Sequence, residues 1–309
     1  EKGIDRPVKI VWSREESIVG HAKRHAYSMK AKWGATKDGK ILAAQCEIWA
    51  NGGAYAYTST KVLGNATLLA SGPYEIPNVA TDAYAVYTND IPGGAFRGFG
   101  GPQAAFMAEL QVDKLADALK MDPVELRMRN LFKEGSVISM GSVLPEGVTI
   151  REVTERCALE AGWTKMETGW TRPIPPKSEN ADVKSAWSLV CGFKNVGFSY
   201  GAPENCGATI QLEGDEKIEL ARLYHSGAEV GQGSHTIFTQ IAAEVLGLPL
   251  SKIHTYFSDT ATSLNAGSVS ASRMTHMAGN SIIGAAKLAL ERWRSEERRV
   301  GKECRSRGS

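Results

Sequence analysis

The sequence has no apolar run approaching the ~18 residues of a membrane span. It has no surplus of either charge: 36 Lys and Arg stand against 34 Asp and Glu, a net charge of +2. A transmembrane helix is therefore not expected, nor a general attraction to nucleic acid or to an anionic membrane. Cysteine is scarce and scattered. Cys46, Cys157, Cys191, Cys206 and Cys304 form no C-x-x-C pair, which argues against a zinc or iron–sulfur centre built within this chain. Free thiols suit a reducing cytoplasm. No Gly-rich loop ends in Gly-Lys-Ser/Thr, and the G-x-G-x-x-G spacing is not met, so two common phosphate-binding fingerprints are absent. No signal peptide is visible. Glu1–Pro7 reads as the tail of a helix entering a strand, so the chain is expected to begin inside a longer protein.

What is present is a chain of 309 residues, 42% hydrophobic and 23% charged, enough for two domains or subdomains. Its 32 glycines exceed the usual ~7% and concentrate in a few loops. The densest is Gly93-Gly94-Ala95-Phe96-Arg97-Gly98-Phe99-Gly100-Gly101-Pro102-Gln103. Glycine allows close approach of backbone and positive φ without steric cost. A helix pattern follows directly, and a helix N-terminus offers unpaired N–H groups. Arg97 is the only charge in this stretch, and two aromatic rings can wall a planar molecule. By glycine count alone the loop also reads as an ordinary strand-to-helix turn.

Along the chain, strands are expected at Val8–Trp12, Tyr27–Trp33, Ile41–Ala50 and Val79–Tyr87, with a hairpin turn at Asp38-Gly39. Helices are expected at Lys61–Ser71, Gln103–Leu119, Val124–Asn130 and Thr149–Gly162, with Asp122 and Pro123 starting the third. The segment Gly20–His25 is a basic cluster, by spacing alone a solvated edge. Lys165–Lys184 is rich in Pro, Lys and Glu and reads as a linker. Beyond it, strands are expected at Ala186–Tyr200, Asn205–Leu212, Lys217–Leu223 and Lys252–Ser258, and helices at Ile237–Leu246 and Met274–Leu290. Two further small-residue turns each open a helix. One is Gly231-Gln232-Gly233, with Ser234 as the expected N-cap and the Gln232 amide free to turn toward a ligand. The other is Ala266–Ser272, which as a Ser-rich cap needs no ligand. The segment 294–309 is almost wholly polar, and is expected to be a non-native, disordered tail.

Phe96-Arg97-Gly98-Phe99-Gly100-Gly101-Pro102-Gln103 resembles the cofactor loop of the large subunit of molybdenum hydroxylases, the xanthine dehydrogenase and aldehyde oxidase family. Gly231-Gln232-Gly233 and the helix after it resemble the family's pterin-holding segment. Ser13-Arg14-Glu15-Glu16-Ser17 followed by Lys23-Arg24-His25 resembles the segment that enters the substrate pocket. The markers Glu109, Asp113, Asp122-Pro123, Glu125-Leu126-Arg127 and Asn130 follow in the family's order.

The resemblance implies a molybdopterin-binding subunit that hydroxylates an electron-poor carbon with water as oxygen source, the cofactor carrying the difficult step. Arg24 matches the arginine that binds the polar edge of purines, Phe99 the stacking wall, and Phe198 a possible opposite wall. Phe96, Arg97, Gly98, Gly231, Gln232, Gly233, Ser268, Ser270 and Ala271 are the implied cofactor contacts, with no side-chain metal ligand. A purine or related aza-heterocycle is the implied substrate. An aldehyde, carbon monoxide or an aromatic thioester are alternatives within the family, and a non-catalytic module binding a phosphate-bearing ligand is the alternative outside it. The cofactor is molybdopterin or its cytosine dinucleotide. FAD and [2Fe-2S] clusters are expected on partner chains in a hetero-oligomer. No segment resembles the family's general-base glutamate loop, which is expected beyond the C-terminal break, so the chain alone is expected to be inactive. The implied fold is α+β: two mixed βα subdomains of a molybdopterin-binding domain, residues 1–164 and 185–293, with a cofactor cleft between them.

Overall fold

The computed structural model describes residues 9–198 and 203–306, together with Gly3, and side chains as far as Ser295. Val8 and the segment 1–7, apart from Gly3, lie outside the described residues, as do 199–202. The chain divides into two compact units, Glu1–Lys194 and Asn195–Ser309.

The first unit opens with α1 (Arg14–Gly20), started by a reciprocal cap: Ser13 Oγ accepts the Glu16 amide and Glu16 Oε2 accepts the Ser13 amide. A sheet of β1 (Tyr27–Ala35), β2 (Ile41–Gly53) and β3 (Asn78–Tyr87) follows in the order β1-β2-β3. β1 and β2 are antiparallel, Trp33 opposite Ala44, joined through Gly39 at φ 85°. β3 returns parallel to β2, Ala50 opposite Ala85, after the crossover helix α2 (Ser59–Leu69).

β2 alternates strictly enough to set the register. Ala44, Cys46, Ile48 and Ala50 are buried, while Trp49 stacks on Tyr84 from the neighbouring strand on the other face. A one-residue slip would exchange those two sets. α2 and α3 (Gly101–Leu119) pack against the sheet. α3 buries Ala104, Met107, Ala108, Val112 and Ala116, a 3–4 residue stripe; Phe106 and Leu110 of the expected apolar series are exposed.

α4 (Pro123–Asn130) begins as the sequence predicts, with Asp122 Oδ1 accepting the Val124 amide at 2.8 Å. It carries Arg127, which is fully buried. The guanidinium meets Glu109 at 2.8 Å and Asp113 at 2.9 Å. Glu109 also accepts Tyr74 Oη–H at 2.5 Å and the Cys191 amide at 3.0 Å. Burial and the facing Glu109 carboxylate hold the Tyr74 phenol well above its usual range. α5 (Ile150–Glu160) and the hairpin β4 (Thr164–Met166)–β5 (Gly169–Thr171) complete the unit.

The second unit repeats the wiring. β6 (Thr209–Glu213) and β7 (Leu220–His225) are antiparallel, α6 (Ser234–Leu246) crosses over, and β8 (Ile253–Phe257) returns parallel to β7 in the order β6-β7-β8. α7 (Met274–Ser306) follows. Its core joins Leu223, Phe238, Ala242, Ile253, Ala278 and Ile282. Each unit is thus a β-β-α-β-α run, an α+β architecture.

Four local expectations differ. Lys9–Trp12 is not a strand; Ile10 and Val11 are exposed and pair with no strand among the described residues. Within Ala186–Tyr200 the described residues form no strand either: the chain is anchored instead by the Cys191 amide on Glu109 and by Phe193 edge-on to Phe132. The segment read as a linker, 165–184, begins inside the β4–β5 hairpin, where Trp170 is buried against Val124 and Trp163. α7 remains helical to Ser306, through the run expected to be disordered; Glu, Arg and Lys, abundant there, are good helix formers.

Candidate functional site

In both units the glycine turns sit at the carboxyl ends of the paired parallel strands. Those ends, where helices begin, are where α/β units commonly hold ligands. The first turn leaves β3 and reaches α3. Its root is pinned to the segment before β1: the Gly94 amide donates to Lys23 O at 2.8 Å and the Lys23 amide to Pro92 O at 3.2 Å. Gly93 is needed for close approach, because a Cβ there would lie 2.4 Å from the His25 ring. His25 is buried, with Nε2 2.8 Å from Ser59 Oγ and Nδ1 without a partner among the described residues. Burial lowers its pKa.

Arg24 is carried to the turn by this pinning. Its Nη2 donates to Arg97 O at 2.5 Å, its Nη1 to Gln103 Oε1 at 3.4 Å, and its guanidinium carbon lies 4.4 Å from the Phe96 ring centre. Gln103 in turn donates to His25 O at 3.1 Å. The turn itself is set by Gly98 (φ 90°), Phe99 (φ 51°) and Gly100 (φ 86°), with Asn65 Nδ2 donating to Phe99 O at 2.7 Å. Phe96 and Arg97 are exposed at its tip, and Phe99 is half-buried. Among the described residues the Arg97 guanidinium makes no hydrogen bond or ion pair. An apolar cavity of 340 Å³ is lined in part by Gly98 and Gly101, but by neither Arg24 nor Phe96.

The second turn connects β7 to α6. The sequence suggests a backbone nest open to an anion. The nest exists, but Glu229 already fills it. Its Oε1 accepts the Gly231 and Gly233 amides at 2.8 and 3.0 Å, and Oε2 accepts the His235 amide at 3.3 Å. These backbone donors, Gly233 first, hold the Glu229 carboxyl below its usual range. The Gln232 amide is also engaged within the loop: Nε2 donates to Ala228 O and Ser234 Oγ, and Oε1 accepts the Val230 amide. The N-cap is Gly233, at φ 84°, and Ser234 is the first helical residue. Glu229 was not singled out from the sequence. Its signal is a carboxylate two and four residues before the two glycines of a Gly-x-Gly turn.

The third turn connects β8 to α7. Ala271 and Ser272 both adopt left-handed backbone, φ 55° and 54°. Ser268 Oγ and Ser270 Oγ are 3.0 Å apart, the former exposed. Two of the turn's carbonyls, those of Ala266 and Ser268, face Arg273, which is 1% exposed. Arg273 Nη1 donates to Ala266 O and Ser268 O, Nη2 to Asn205 O, and Nε to Glu204. Phe198 lies in this unit, with its ring centre 6.0 Å from the Arg273 guanidinium.

Oxyanion-bearing, planar ligands match this chemistry. In the first unit Arg97 is an exposed cation, without an ionic partner among the described residues, beside the exposed Phe96 ring; in the second unit the amides of one turn are taken up by Glu229 and the other turn presents hydroxyls. Among the described residues no group of His, Cys, Asp and Glu could hold a metal ion, and no helix is long and apolar enough to cross a membrane.

Two family profiles, both described as molybdopterin cofactor-binding domain, match residues 2–131 and 163–303. The chain is 46% identical over 156 residues to the nicotinate dehydrogenase large molybdopterin subunit of Eubacterium barkeri, covering 50% of this chain and 37% of that protein. It is 32% identical over 291 residues to a xanthine dehydrogenase of Oryza sativa subsp. japonica, covering 94% of this chain and 21% of that protein. Among solved structures, the aldehyde oxidoreductase from Desulfovibrio desulfuricans is similar with a TM-score of 0.75 at 26% identity, covering 87% of this chain and 29% of that one. The chain therefore spans between about a fifth and just over a third of the length of these relatives.

Proposed function

The chain belongs to the molybdopterin cofactor-binding domain family, and on that premise we propose that it is the cofactor-holding part of a molybdenum hydroxylase. The substrate is a purine or related aza-heterocycle and water is the oxygen source. The similarity to a xanthine dehydrogenase and a nicotinate dehydrogenase subunit, both named for aza-heterocycles, supports this reading. The observation that carries it is the placement of Arg24. A five-donor fork, rigid and always charged, is held against Phe96 and the carbonyl of Arg97, where a ring's nitrogen, carbonyl or carboxylate edge can meet it.

Bound molybdopterin and its metal supply the two-electron oxidation. The chain's residues bind and orient. Arg24 holds the polar edge of the substrate, and Phe99 walls its plane by stacking, with Phe198 assigned as a second aromatic contact. Phe96, Arg97 and Gly98 face the cofactor in the first unit. Arg97 balances its negative charge. In the second unit Ser268, Ser270 and Ala271 hold the pterin and its phosphate, and Gly231, Gln232 and Gly233 join them only where Glu229 gives up their amides. We assign no residue of this chain as general base. The cytosine dinucleotide form, partner chains bearing FAD and [2Fe-2S] clusters, and a cytoplasmic setting belong to the same proposal. The four free cysteines among the described residues suit that setting.

The test is Arg24→Ala in the hydroxylase that carries this chain. A lost charge-assisted hydrogen bond is worth about 1.5–3 kcal/mol, so kcat/KM for hypoxanthine is expected to fall roughly tenfold to a hundredfold, while aldehyde turnover changes little. Equal losses on both substrates remove the reason for naming aza-heterocycles. Absence of molybdenum from the purified hydroxylase ends the reading.

A further inference from the structure

The third turn and the Phe198 segment are separate stretches of chain, yet both terminate on one ion pair between the buried Arg273 and the partly exposed Glu204. Arg273 stands immediately before α7 and is 1% exposed. Its Nη1 donates to Ala266 O at 2.9 Å and to Ser268 O at 3.1 Å, while Nη2 donates to Asn205 O at 2.8 Å. Its Nε donates to one oxygen of Glu204, and the other oxygen of Glu204 accepts the amide of Phe198. A second link runs in parallel, from the Gly197 amide to Ala271 O at 2.9 Å. Gly267 is fitted to the guanidinium, since a Cβ there would lie 2.9 Å from Nη1.

We propose that Arg273 and Glu204 are positioning residues that couple the Ala266–Ser272 turn to the Phe198 segment, so that a ligand held by the turn also fixes Phe198. A planar fork can bridge three segments at once, and a point charge on a flexible stem cannot. The Ala266 and Ser268 carbonyls are committed to the fork and the Ala271 carbonyl to the Gly197 amide, which leaves the Ser268 and Ser270 hydroxyls for a ligand. A ligand that orders the turn therefore orders the fork, and through Glu204 the backbone at Phe198. The inference rests on the reading of the turn as a cofactor seat, and it adds that cofactor and substrate contacts in this unit are energetically linked.

Amide hydrogen exchange on the full 309-residue chain tests it. In the ligand-free chain, Arg273→Gln and Glu204→Gln are each expected to speed exchange at Gly197 and Phe198 about tenfold, as loss of a net hydrogen bond implies, with the double variant adding little. Arg273→Lys is expected to behave as Gln; protection restored by Lys would show that charge alone suffices and would overturn the coupling. Glu204, whose side chain is 20% exposed, supplies the variant should Arg273→Gln fail to fold. Added molybdopterin is expected to slow exchange at both the turn and Phe198 in the natural chain, and at the turn alone in Glu204→Gln. Protection of the turn without Phe198 in the natural chain overturns the coupling. Protection of neither counts against the cofactor seat, while the ligand-free variants still decide the coupling.

Discussion

The guanidinium carbon of Arg24 sits 4.4 Å above the ring centre of Phe96, 72 positions later in the chain (96 − 24). Both groups are partly in water, so the contact is worth about 0.5–1 kcal/mol. A double-mutant cycle with Arg24→Ala and Phe96→Leu, read by urea unfolding, is expected to return a coupling of that size. Additive effects would mean that the ring does not lie under the cation in solution.

Removing Arg127 should be far costlier. Arg127→Met leaves Glu109, 5% exposed, without its cation and still holding Tyr74 and the Cys191 amide. Breaking a buried pair by deleting one partner costs about 3–5 kcal/mol. The urea midpoint is expected to drop accordingly, and a change below about 1 kcal/mol would place the pair effectively in solvent.

His225 gives the fold an acid-sensitive element. It is fully buried, accepts the Gly227 amide at Nδ1 and faces Cys206 through Nε2. Burial, and secondarily His235, push its pKa down from 6.5 to about 4. The unfolded chain then binds a proton that the folded chain refuses between those values. Stability from this group is complete above pH 6.5 and is lost as pH falls toward 4, on the order of 3 kcal/mol in all. Unfolding free energies measured from pH 7.5 to 4.5 should fall more steeply for the natural chain than for His225→Gln; parallel curves would assign the acid sensitivity elsewhere.

Two glycines with nearly the same backbone separate conformation from packing. Gly100 (φ 86°) and Gly233 (φ 84°) both lie in the left-handed region, where alanine costs roughly 1–2 kcal/mol. At Gly100 a Cβ would also lie 2.6 Å from Val62 O, whereas at Gly233 nothing is within 4 Å. Gly100→Ala is expected to lower stability by about 1–3 kcal/mol more than Gly233→Ala, the usual cost of overpacking. Comparable losses in thermal unfolding would show that α2 yields to the added methyl.

The regular elements were legible because their signals are local. The alternation of β2, the Asp38-Gly39 turn and the Asp122-Pro123 start of α4 each report on a few neighbouring residues. Ala186–Tyr200 misled because an apolar run alone does not say whether a strand partner exists, and here its amide at Cys191 goes to a carboxylate. Arg24 could be tied to the Phe96 loop only through resemblance; the physical tie, Lys23 beside Gly93, joins segments about seventy residues apart. Glu229 and Arg273 were invisible for a different reason. Each serves backbone groups whose orientation is set by positive φ angles, and no side-chain pattern records that.

Trp170 and Cys191 anchor the two ends of an exposed run to the same unit, the first in a hydrophobic cluster with Val124, Ala158 and Trp163 and the second on Glu109. The residues between them form a closed loop, and lengthening such a loop costs only a slowly growing entropy. A nick within 175–187 would leave both cut ends fastened, and an insertion there would swing free of the sheet. That run is thus where the chain can accommodate a protease scar or a foreign sequence with its glycine turns left in place.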